Sequence, residues 1–74
     1  KYNEVINKYS KSWKVSRLPK VTLAILYVAL YEMENVEDVA DSIAINEAVE
    51  LAKKYAGEND ASYINGILGA VSRG

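Results

Sequence analysis

Few residues in this 74-residue chain can take part in bond-making chemistry. Glu47 and Glu50 are the nearest thing to paired carboxylates, three positions apart and so on one side of a helix. A carboxylate di-metal centre in a helical bundle adds Glu-x-x-His pairs, and the chain has no His. The pair therefore reads as a solvated helix face. The absence of both Cys and His removes disulfides, thiolate zinc sites, a thiol nucleophile and the usual base near neutral pH. Ser and Tyr hydroxyls are plentiful, but no ready base stands beside them. No Gly-rich phosphate loop follows a strand, since nothing in the sequence alternates like a strand. The expectation is a protein that is not an enzyme and uses neither metal nor cofactor.

Binding chemistry is better represented. Tyr55 and Tyr63 bracket the polar turn AGEND, so their rings can flank one surface patch. Single-stranded RNA is held by stacking on such rings, at about 1–3 kcal/mol per base. The alternative is that both rings pack inward. Tyr2, Tyr9, Tyr27 and Tyr31 are expected at the core or its boundary, and Asn46 and Asn65 are expected to face inward and fix helix register.

The elements that must position these groups are helical, because apolar residues recur near every 3.6 positions. Tyr2, Val5, Ile6 and Tyr9 mark a first helix to about Ser10, followed by a basic connector whose Trp13 is large enough to plug a gap. Pro19 fits the first turn of a second helix running to about Glu34, apolar nearly all round and so expected to have neighbours on several sides. After an acidic loop, Asn35 to Ala40, Asp41 or Ser42 caps a third helix. Ala44, Ala48, Leu51, Ala52 and Tyr55 share one face of it, Glu50 and Lys54 pair on the outside, and Gly57 is the left-handed stop. Asn59 or Asp60 caps the last helix, which turns Ile64, Ile67, Leu68 and Val71 inward. Gly66 and Gly69 each cost that helix about 1 kcal/mol, which suggests that another helix crosses closely there.

Composition agrees with one small globular domain: half the residues are hydrophobic and 26% are charged. The net charge of −1 is uneven, since residues 1 to 20 are strongly basic and the remainder strongly acidic. The longest uncharged run, Val21 to Tyr31, is too short for a membrane span of roughly 20 residues. A cytoplasmic chain without membrane association is expected, and its start at Lys1 rather than Met suggests part of something longer.

Four stretches in order, WKVSRLPKV at 13–21, LAILYVALYEM at 23–33, AINEAVELAKKY at 44–55 and SYINGILGAV at 62–71, resemble the C-terminal half of the NusB family of bacterial transcription antitermination factors. The match covers about 60 residues without a large gap. Each stretch alone is a plain amphipathic helix; together they are specific. The resemblance implies an all-α fold, an antiparallel bundle of about four helices. Residues 1–74 would form the C-terminal subdomain, without the family's N-terminal bundle. It further implies RNA binding without catalysis: with NusE, a small-subunit ribosomal protein, the family recognises boxA RNA and helps RNA polymerase elongation complexes read through terminators.

On the family's RNA surface, aromatic and polar residues surround the last inter-helix turn, where this chain has Tyr55, Asn59 and Tyr63. The family often has Phe at both aromatic sites and Asp at the middle one. Tyr keeps the stacking face, and Asn removes a charge that would repel phosphate. Around the central helix the family shows an acidic residue and then Arg, where this chain has Thr22 and Tyr27. The NusE contact is expected near Thr22. The basic segment 1–20 reads as solvated surface, with Tyr9 a minor RNA candidate.

Two other functions compete with that expectation: a helical protein-interaction module, which the acidic surface of residues 21 to 74 favours, and a NusB-like domain of an RNA methyltransferase. Without the other bundle, the apolar second helix is expected to make the isolated chain self-associate.

Overall fold

The computed structural model describes residues 2–10, 18–35, 38 and 40–74. Trp13, most of the basic connector, and Val36, Glu37 and Val39 of the acidic loop lie outside the described residues. Four helices follow one another: α1 (Tyr2–Tyr9), α2 (Lys20–Asn35), α3 (Asp41–Tyr55) and α4 (Glu58–Arg73). The all-helical expectation holds, and the elements fall where the 3.6-residue period put them. α4 packs against each of the other three helices, and α2 packs against α3 and α4. α2 also reaches α1, where Tyr27 meets Tyr2 and Asn3, so the apolar second helix has neighbours on several sides as expected, and so does α4.

Ile6, Leu26, Ile64 and Leu68 have no exposed surface and bring all but α3 to one point. Each contributes about 1.5–3 kcal/mol by leaving water. α3 enters this core on small side chains, its buried residues being Ala44, Ala48 and Ala52 at four-residue spacing. Without bulk on that line, its backbone approaches the other helices closely. The buried line is therefore narrower than expected: Leu51 is 42% exposed and Tyr55 more so. Ile45 and Val49, on the opposite flank, pack against the core.

Local chemistry sets the helix ends, and here the sequence expectations need correction. The Pro19 carbonyl accepts the Leu23 N–H at 3.1 Å, so the proline stands just before α2, where a missing N–H costs nothing. At the other end the Asn35 side chain donates to the Tyr31 carbonyl at 3.2 Å. Neither Asp41 nor Ser42 caps α3. Its cap is Ala40, with extended backbone and no side-chain hydrogen bond, while Asp41 sits in the first turn, where its charge complements the helix dipole. Neither Asn59 nor Asp60 caps α4, which starts earlier because Gly57 is its cap.

Gly57 has φ 142° and ψ 168°, a region essentially reserved for glycine and distinct from the left-handed helical region expected. Its N–H donates to the Ala52 carbonyl at 2.7 Å and its own carbonyl accepts from Ala61 at 3.0 Å, so one residue closes α3 and opens α4. Among the described residues no helix crosses closely at Gly66 or Gly69, contrary to the expectation. A β-carbon at Gly66 would meet nothing within 4 Å, and one at Gly69 would meet only the Arg73 side chain. Both glycines lie off the buried line of Ala61, Ile64, Ile67 and Leu68.

Candidate functional site

The turn joining α3 to α4 collects the binding candidates. Tyr55 is the last residue of α3 and is 61% exposed. The Lys54 ammonium, expected to pair with Glu50, lies 5.3 Å from the centroid of the Tyr55 ring. A cation at that distance is attracted by the ring face and also suits the negative end of α3. Asn59 is exposed in the first turn of α4. Tyr63 is one turn further on and so on the same side of that helix.

The two tyrosines are in different states. Tyr63 is half-buried against the core, and its hydroxyl donates to Ser10 Oγ at 2.8 Å. It ties α4 to the end of α1 and has a structural task whatever else it does. Tyr55 keeps most of its ring in water. Burying a ring of this size is worth several times RT, so one left mostly in water is available to a ligand.

The charge of the turn is balanced. Lys53 and Lys54 end α3, and Glu58 and Asp60 occupy the first turn of α4. The positive end of α4 is therefore already complemented by its own carboxylates. Such a surface favours ring stacking and neutral hydrogen bonds over dense phosphate contact. Lys53 and Lys54 were not among the sequence candidates; a lysine pair in the last helical turn next to an exposed ring is the signal that marks them.

Other candidates are placed differently. Thr22 is fully buried in α2, and its Oγ1 has no hydrogen-bond partner among the described residues. A side chain with no exposed surface offers no direct partner contact; the exposed residues beside it are Lys20 and Val21. Asn46 and Asn65, expected inward, are both exposed. They sit on the flanks of the buried lines and line an open groove between α3 and α4 with Ile45, Val49, Lys53 and Ser62. Tyr2 and Tyr27 are boundary residues as expected, with ring centroids 6.3 Å apart and the Tyr27 hydroxyl donating to Asn3 Oδ1. Tyr9 is also half-buried, with the Lys8 ammonium 5.4 Å from its ring centroid. Tyr31 departs from its expectation and is 56% exposed. Glu47 and Glu50 are solvated, and no group of acidic residues among the described residues could hold a metal ion. No helix among the described residues is long and apolar enough to cross a membrane.

Known proteins are similar to this chain in sequence. The chain is 61% identical over 66 residues to the transcription antitermination protein NusB of Acetivibrio thermocellus, covering 89% of this chain and 46% of that protein. It is 51% identical over 67 residues to the protein of the same name from Clostridium kluyveri, covering 90% of this chain and 43% of the relative. The corresponding protein of Clostridium botulinum strain Kyoto is also 51% identical over 67 residues, with 90% and 47% covered. The chain thus spans a little under half the length of these relatives, whose names are those of antitermination factors and not of enzymes. No solved structure matches the chain significantly. The family model described as "NusB family" matches residues 1–73, and with it the chain belongs to the NusB family.

Proposed function

We propose that this chain is the C-terminal, RNA-holding portion of a NusB-type antitermination factor. It acts in the cytoplasm with NusE on boxA RNA, in the service of the RNA polymerase elongation complex. The observation that carries this reading is Tyr55: a ring 61% exposed at the end of α3, with Lys54 over it and Asn59 just across the turn. A base stacks on Tyr55, Asn59 supplies a neutral hydrogen-bonding edge, and Lys53 or Lys54 neutralises a phosphate. Tyr63 presents what remains of its ring while its hydroxyl holds the turn to α1. The NusE contact falls around the start of α2, on Lys20 and Val21 over the buried Thr22.

The test is fluorescence anisotropy of labelled boxA RNA titrated with this chain and NusE, against a scrambled RNA. Tyr55→Ala is expected to weaken selective binding by about 1–3 kcal/mol, with helicity unchanged by circular dichroism. Tyr55→Phe, which keeps the ring, is expected to retain it. Equal affinity of the wild-type and Tyr55→Ala chains would remove Tyr55 from the site. A well-folded chain with no preference for boxA would show that this portion does not hold the RNA surface.

A further inference from the structure

The bond between Tyr63 and Ser10 spans 53 positions of sequence and fastens one end of a candidate binding ring. The ring packs against the hydrophobic core, and its hydroxyl donates to Ser10 Oγ at 2.8 Å. Ser10 is a firm anchor. It is the first residue past α1, it is half-buried, and its N–H donates to the Ile6 carbonyl at 2.8 Å. Ile6 has no exposed surface. The Tyr63 ring is therefore held at its base by α4 and at its tip by a residue fastened to the core.

Where the ring is held matters for the turn beside it. Asn59 stands one helical turn before Tyr63, on the same side of α4. Side chains on a helix lean back toward its N-terminus, so the Tyr63 ring projects over the side on which Asn59 stands. A side chain that must be frozen when a ligand arrives lowers affinity by about two- to tenfold, and one already held does not. The Tyr63 hydroxyl, engaged with Ser10, supplies that hold. What this residue offers to a base is the part of its ring outside the core, in a fixed orientation.

We propose that Ser10 is a positioning residue for RNA binding: through the Tyr63 hydroxyl it sets the ring that flanks Asn59 before the RNA arrives. Ser10 acts through Tyr63 and not on a nucleotide. The inference rests on the reading of the α3–α4 turn as the RNA surface.

A double-mutant cycle in the boxA anisotropy titration with NusE tests it, with circular dichroism confirming that each chain is folded. Ser10→Ala and Tyr63→Phe are each expected to weaken boxA binding by about fivefold. The double variant is expected to bind no more weakly than either single one. Ser10→Thr, which keeps the hydroxyl, is expected to restore wild-type binding. In NMR of the free chain labelled at tyrosine, Ser10→Ala is expected to shift the Tyr63 ring signals, identified by their loss in Tyr63→Phe. A Ser10→Ala chain with wild-type affinity overturns the proposal even if urea unfolds it more easily, because the bond is then purely structural. An affinity loss that persists in the Tyr63→Phe background overturns it by putting Ser10 on the RNA directly. Unshifted Tyr63 signals overturn it by showing that Ser10 does not hold the ring. Each of these outcomes leaves the RNA reading in place wherever Tyr55→Ala still weakens selective binding. A wild-type chain without preference for boxA overturns that reading, and the role of Ser10 falls with it.

Discussion

The side of the bundle built by α1 and α4 differs from the side built by α2 and α3. On the first, every large hydrophobic is at least half covered: Ile6, Ile64, Ile67 and Leu68 are buried, and Tyr2, Val5, Tyr9, Tyr63 and Val71 pack around them. On the second, six large apolar side chains stand in water although their helices carry part of the same core. The two sides have similar sequence, since both are apolar at helical spacing. What separates them is whether the described residues supply a neighbour. Apolar periodicity shows that a helix face is meant to be covered; only the packed structure shows whether this chain covers it.

That contrast can be broken by mutation. Leu68→Ala, in the sealed side, is expected to cost about 2–5 kcal/mol, measured by urea unfolding followed by circular dichroism. A domain of this size has roughly 4–11 kcal/mol in all, so much of the population would unfold. A cost below about 1 kcal/mol would mean that the sealed core is loosely packed. Tyr63→Phe removes only the bond to Ser10 and is expected to cost about 1 kcal/mol in the same assay. No loss would mean that this tie is as well made to water. Gly66→Ala is expected to stabilise by about 1 kcal/mol, since the added methyl meets open space and the helix no longer bears glycine's entropy. Destabilisation there would reveal a neighbour that the structure does not contain. The smallest effect belongs to the open side: Val28→Ser is expected to change stability by no more than about 0.5 kcal/mol in solutions too dilute for self-association. A larger loss would show that α2 is covered within a single copy.

Much of the fold was legible because Pro19, Gly57 and the 3.6-residue period mark where helices begin, end and turn their faces. The caps were not legible. Asp41, Ser42, Asn59 and Asp60 have the right chemistry for capping, but the backbone bends at Ala40 and Gly57, which offer no side chain to the helix. Leu51 and Asn46 were misplaced for a related reason. A period shows the centre of a buried stripe well and its edges poorly, and the edge of α3 depends on how closely its alanines let other helices approach. Tyr55 and Tyr63 were legible as a pair but not as different members of it. The difference lies in Ser10, 53 residues away in sequence from Tyr63, and no local pattern records such a contact.

The doubled role of Gly57 has a consequence for how this hairpin tolerates change. Because its N–H ends one helix and its carbonyl begins the next, the turn has no slack residues to absorb a difference in length. One inserted residue would swing α4 by about 100° about its own axis relative to α3. Tyr63 would leave Ser10, and Ile64 and Leu68 would leave the core. The hairpin can thus accept replacements at many positions around the turn while forbidding insertions and deletions within it. Its packing is specified as much by residue count as by residue type.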